Sequence, residues 1–203
     1  MIKSPLEPAV KKRTMKRMLF LLTVFFTCLN VFSQEHMMFN GIPIDGKVEE
    51  LVHKLELKGY KLDRYLDGDA IMKGTFAGKS ATLYVLGTAK TKTAWNVSVD
   101  FGESNSWYSL KSEYNDFKEL YTKKYGSPKN HYEFFSDPYY EGDGYELQAL
   151  RKDKCHYFTV YELDAGKIIV NLSSSESLVL SYNDKINANL KTQEETSQAL
   201  DDI

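Results

Sequence analysis

Between Gly46 and Lys58 apolar residues recur as Val48, Leu51, Val52 and Leu55, the spacing of one helical face, while Glu49, Glu50, Lys54 and Glu56 take the other side. This predicts a helix, ended by the backbone freedom of Gly59. Strands are predicted over 70–76, 81–86 and 94–101. The last alternates most cleanly, with Trp95, Val97, Val99 and Phe101 set against Asn96, Ser98 and Asp100, so Trp95 is expected in the core and Asn96 in water. Ala77-Gly78 and the polar stretch 87–93 supply turns.

A second helix is predicted from Trp107 to Tyr125, with Leu110, Tyr114, Phe117, Leu120 and Tyr121 facing inward, Ser106 and Ser109 as caps, and Gly126 then Pro128 as terminators. Strands are expected over 145–151, 155–162, 167–172 and 178–182, the middle pair joined by the hairpin signal Asp164-Ala165-Gly166. Residues 183–203 read as a polar tail, helical at most over 184–191.

Helix then strands, twice over, predicts an α+β fold of two α-β-β-β units. Short links between sequence-adjacent strands favour antiparallel pairing, with the helices packed on one face of the sheet. The halves fall at about 40–105 and 106–182 within a single domain, 34–182.

Ahead of that domain, Lys16-Arg17 leads into the apolar run Leu19–Phe26 and then Val31-Phe32-Ser33-Gln34, the layout of a signal peptide over 1–33. Cleavage is expected after Ser33, and residues 1–14 read as an upstream mis-start. The protein is therefore expected to be exported, periplasmic or extracellular. Lipidation at Cys28 is the less favoured alternative, because Thr27 stands where a lipoprotein signal wants a smaller residue.

Removing the presequence leaves 20 basic against 27 acidic residues, a net charge of about −7. An acidic body with no basic block gives no electrostatic reason to hold nucleic acid or an anionic membrane surface. Cys155 is then a lone thiol. It lies in a predicted strand where His156 points to the opposite face, so it reads as a packed residue and not as a nucleophile with His156. His36, His53 and His131 lack partners at metal-ligand spacing, and no metal or other cofactor is expected.

Three segments carry a resemblance: Phe39-Asn40-Gly41-Ile42-Pro43-Ile44-Asp45-Gly46, Lys73-Gly74-Thr75-Phe76-Ala77-Gly78, and Lys123-Lys124-Tyr125-Gly126-Ser127-Pro128. Together they look like a family of uncharacterised secreted proteins of gut Bacteroidetes, a likeness that covers nearly the whole mature chain. The element order is also similar to the tandem domains of β-lactamase-inhibitor-like and outer-membrane-assembly lipoproteins, which bind other proteins. The first resemblance implies export. The second implies a protein partner, and neither supplies an active site to carry over.

The loop 136–144 is the richest in chemistry, with Asp137, Tyr139, Tyr140, Glu141 and Asp143 interleaved with Pro138, Gly142 and Gly144. Its spacing does not match the calcium loop of helix-loop-helix proteins. Exposed tyrosines beside acids can anchor a protein partner or stack on a saccharide, and Asp137 with Glu141 would form a carboxylate pair if both faced one cleft. The sequons at Asn96 and Asn171 fall in predicted strands. The leading expectation is a non-enzymatic protein-binding module of the cell envelope or exterior; the alternative is a carbohydrate-binding or hydrolytic protein built on this loop.

Overall fold

The computed structural model describes residues 35–203, so the expected signal segment and Cys28 lie outside the described residues. A two-stranded ribbon, β1 (Met38–Phe39) with β2 (Ile42–Pro43), leads into helix α1 (Val48–Glu56). Four strands follow: β3 (Lys61–Leu66), β4 (Asp69–Phe76), β5 (Lys79–Gly87) and β6 (Ala94–Glu103). Helix α2 (Trp107–Tyr125), β7 (Asn130–Phe135) and the short helix α3 (Glu146–Arg151) come next. The chain then runs through β8 (Cys155–Leu163), β9 (Gly166–Leu172) and β10 (Ser177–Asp184) into helix α4 (Lys185–Asp201).

The fold of the described residues is α+β. The eight strands β3 to β10 form one antiparallel sheet in the order β3-β4-β5-β6-β10-β9-β8-β7. Local hairpins build each side, and tight turns such as Asp67-Gly68 and Ala77-Gly78 have positive φ at both residues, as mirror-type hairpin turns require. The middle seam, β6 against β10, pairs Val97 with Tyr182 and Val99 with Leu180. Alternation along these strands buries Leu83, Val85, Val97, Val99, Val170, Leu178 and Leu180 in one core with Leu51 and Leu55 of α1 and Leu110, Tyr114 and Phe117 of α2. Phe101 meets Phe117 with ring centroids 4.9 Å apart, which sets α2 against β6. Gly166 is required by close approach: a Cβ there would lie 2.0 Å from the Asn183 carbonyl oxygen of β10.

Leu120 of α2, expected to face inward, is exposed, and four larger expectations from the sequence are corrected. In place of the strand expected over 145–151 stands helix α3, Glu146–Arg151; Glu146, Ala149 and Leu150 are its buried positions, at i, i+3 and i+4. Strands β3 and β7 have no counterpart in the sequence reading, because both are sheet edges with mostly exposed residues and so lack a buried alternate face. Trp95 is not in the core. A register shift between β5 and β6 next to it breaks the alternation, leaving the ring half-buried beneath Lys191 of α4, whose Nζ lies 5.1 Å from the ring centroid. Asn96, expected in water, is buried and donates to Asn183 Oδ1 (3.1 Å) across the seam.

The presumed polar tail is the fourth. Residues 185–201 form α4, which is held by buried polar groups and not by an apolar stripe. Asp184 caps it, accepting from Asn187 N–H (2.8 Å), and Asn187 Nδ2 donates to the carbonyls of Ile44 (3.0 Å) and Ala94 (2.8 Å). Farther along, the buried Glu194 carboxylate accepts from Lys90 N–H (2.6 Å), Thr91 Oγ1 (2.6 Å) and Thr88 Oγ1 (3.1 Å), clamping the β5–β6 connection to the helix. None of the described helices is long and apolar enough to cross a membrane.

Burial alone would raise the Glu194 carboxyl, but the hydrogen bonds from Thr91, Lys90 and Thr88 overcome it and hold the group below its ordinary value. Glu194→Ala is expected to destabilise the protein by about 1–3 kcal/mol, because the donors of the 88–91 loop lose their acceptor. Glu195→Ala, which removes only a surface pair with Lys191, should cost less than about 0.5 kcal/mol. Since the folded value is depressed, the contribution is present above the unfolded value of about 4.3 and is lost as pH falls through the folded one. Denaturant melts of wild type and Glu194→Ala should therefore differ at neutral pH and converge in acid.

Candidate functional site

The loop 136–144 joins β7 to α3, and its acids take different roles. Asp143 is a turn builder: Oδ1 accepts from Tyr145 N–H (2.7 Å) and Oδ2 from Tyr140 N–H (3.1 Å). Gly142 N–H donates to Glu146 Oε1 (2.9 Å), so the first residue of α3 fixes the loop's far end. Tyr139 is half-buried against the core, whereas Tyr140 is exposed. Asp137 is exposed at the loop's beginning.

Glu141 is the member of the predicted set that lines the groove beside α2. An open groove of about 550 Å³ runs between the first turns of α2 and the loop, walled by Trp107, Tyr108, Lys111 and Asn115 on one side and by Glu141 and Glu146 on the other. Tyr108 stands highly exposed at its rim. The structure thus brings Glu141 to aromatic walls, but these are Trp107 and Tyr108 and not the predicted Tyr139 and Tyr140, and Asp137 is not among the groove residues. Within the groove Glu141 is ion-paired with Lys111, and Tyr157 O–H donates to its second oxygen (3.2 Å).

That arrangement defines the local electrostatics. The Lys111 ammonium, hydrogen-bonded to Glu141, holds its carboxyl below the usual range, which suits a fixed anion and not a proton donor at neutral pH. Tyr157 is pushed upward by burial and by the neighbouring Glu141 charge. Cys155 is buried in β8, and burial together with the charges of Glu141 and Glu146 raises its thiol to about 12, far from the thiolate that nucleophilic chemistry needs. Among the described residues no three His, Cys, Asp or Glu side chains cluster as a metal site.

A second surface was missed by sequence reasoning. On the sheet face opposite the buried alternates, Tyr132 of β7 stacks on Phe158 of β8 with centroids 4.7 Å apart, and Phe134 lies 4.8 Å from the His156 ring. Tyr132 and Phe134 remain 46% exposed, so the stacking leaves a large apolar area in water. The available signal was the alternation of Tyr132 and Phe134 with His131 and Glu133, read in an edge strand whose aromatic side faces solvent. The chain matches no protein-family model, no curated protein and no solved structure with which it was compared.

The Glu141–Lys111 pair carries a direct test. In Lys111→Met the Glu141 carboxyl should titrate higher than in wild type, toward an ordinary glutamate, because the hydrogen-bonded cation that favours its charged form is gone. Carbonyl-detected NMR titration of both proteins reads this, and an unchanged midpoint would remove Lys111 as the cause.

Proposed function

We propose that this chain is an exported, non-enzymatic binding protein of the cell envelope or exterior whose partner is another protein. The observation that carries the reading is the aromatic cluster Tyr132, Phe134, His156 and Phe158 on the sheet face away from the core. Aromatic side chains with few rotamers make large contacts at low entropic cost, which is why they anchor protein interfaces. The chemistry of the other candidates points the same way: Asp143 is used to shape its own loop, Glu141 is held as an anion by Lys111, and Cys155 is buried as a thiol. Export rests on the presequence pattern.

We also read the fold as two versions of one unit, α1 with β3–β6 and α2 with β7–β10, their helices on the core side of the sheet. The mirror-like strand order about the β6–β10 seam supports this, with α3 as an insertion in the second unit and α4 as an addition. The resemblance to tandem protein-binding domains is consistent with such a sheet. A second reading, saccharide binding, draws on the groove, where exposed Tyr108 stands beside Asn115 and Glu146.

The two readings separate by mutation. Gentle pull-down from envelope extracts with the tagged mature protein should recover a partner with wild type and with Tyr108→Ala, and lose it with Phe134→Ser/Phe158→Ser once circular dichroism shows that variant folded. Recovery of nothing by wild type, or equal recovery by the aromatic-face variant, overturns the proposal. Binding of an oligosaccharide panel that disappears in Tyr108→Ala would transfer the assignment to the groove.

A further inference from the structure

The two edges of the sheet are built differently. At one edge, β3 carries a register shift between Leu62 and Arg64 and a cluster of charges, with Asp63 paired to both Arg64 and Lys73. Bulges and charges of this kind keep a second strand from pairing with an edge. At the other edge, β7 runs in unbroken register with β8 from Asn130 opposite Val160 to Phe135 opposite Cys155, with no proline and no bulge. No strand of the described residues pairs with its outer side.

The register also tells which backbone groups face outward. Ser136 N–H donates to the Lys154 carbonyl (2.7 Å), one step beyond the last pair of that ladder. Because hydrogen-bonded and non-bonded pairs alternate in antiparallel sheets, Tyr132 and Phe134 bond toward β8. The N–H and C=O groups of His131, Glu133 and Phe135 therefore point out of the edge. The short side-chain contact of His131 Nδ1 with Thr159 Oγ1 (2.9 Å) fits a non-bonded pair at that position.

We propose that β7 pairs antiparallel with β7 of a second copy of this chain, continuing the sheet across a two-fold axis through Tyr132. In that register the outward groups of His131 meet those of Glu133 of the second copy, and the imidazole lies opposite the carboxylate twice. Tyr132 faces its own copy, and Asn130 faces Phe134. The alternative two-fold through Glu133 would place like charges directly opposite, which is unfavourable. Within its own chain Glu133 is paired with Lys118 (2.6 Å) and lies 3.2 Å from His131 Nε2, so in this register two such Lys118–Glu133–His131 clusters face each other with His131 of each opposite Glu133 of the other. That match of the strand with itself, beside an edge of regular register, is what selects a second copy over an unrelated strand. An isologous contact of this kind closes after two chains, and the protected β3 edge prevents further growth.

The register gives a sharp test. Tyr132 would face itself as a non-bonded pair, the closer of the two antiparallel spacings and within reach of a disulfide. In the purified protein, with Cys28→Ser wherever that residue is retained, Tyr132→Cys should oxidise to a covalent dimer. Phe134→Cys, which faces Asn130, should not, and Cys155 is too buried to contribute. Sedimentation velocity should show a wild-type dimer. Glu133→Pro, which removes an outward N–H and no bond to β8, should raise its dissociation constant roughly tenfold or more with unchanged circular dichroism. Wild type that is monomeric at all concentrations, a dimer insensitive to Glu133→Pro, or cross-linking at Phe134→Cys in place of Tyr132→Cys would each overturn the proposal.

Discussion

The architecture turns on one carboxylate. Asp184, fully buried, ends the central strand β10, caps α4 through Asn187 N–H, and accepts Met37 N–H (2.7 Å) and His36 Nδ1 (3.0 Å) from the segment before β1. The β10–α4 junction and a segment 147 residues earlier in the chain thereby meet at one pair of oxygens. A buried charge is tolerated only when its lone pairs are satisfied, and here backbone and imidazole donors satisfy them. Asn187 extends the arrangement by donating to the carbonyls of Ile44 and Ala94, so the N-terminal ribbon, the start of β6 and the last helix share one polar joint.

What could be read from the sequence divides along burial. The stripe Val48, Leu51, Val52, Leu55 and the alternation through Val97 and Val99 were legible because one side of each element is fully buried, and periodicity records that directly. Edge strands leave no such record. In β3, Leu62 and the adjacent Tyr65 and Leu66 follow no period of two, since a bulge lies between them, and in β7 every residue but Phe135 is exposed. The helix at 146–151 was obscured by its shortness, six residues being too few for helical spacing to outweigh flanking aromatics. Trp95 misled because a register shift beside it interrupts the alternation that its neighbours keep.

The candidate site was legible in part for a similar reason. Composition marked loop 136–144, but composition cannot say which acids hold their own turn and which face outward. Asp143 is a turn residue and Glu141 a groove residue, a difference made by Lys111 and Tyr157, thirty and sixteen residues away in the chain. The α2 side of the groove, with Trp107, Tyr108 and Asn115, lay in a predicted helix whose exposed positions carry no pattern of their own. Both surfaces of interest depend on which residues become neighbours, and that is decided by strand order.

Strand order also has a kinetic side. Every pairing except β6 with β10 and the links through the N-terminal ribbon joins neighbours in sequence, whereas the seam unites positions such as Asn96 and Asn183, 87 residues apart. Closing so long a loop costs entropy before any pairing repays it, so the two sides of the sheet are expected to form before the seam in folding. When the seam does close, its outer face offers Ser98 to Ser181 (2.8 Å) and Asn96 to Asn183. A slip of one residue would turn these polar side chains into the core and the valines out to water, so the hydroxyl and amide pairs act as a checksum on how the two halves are joined.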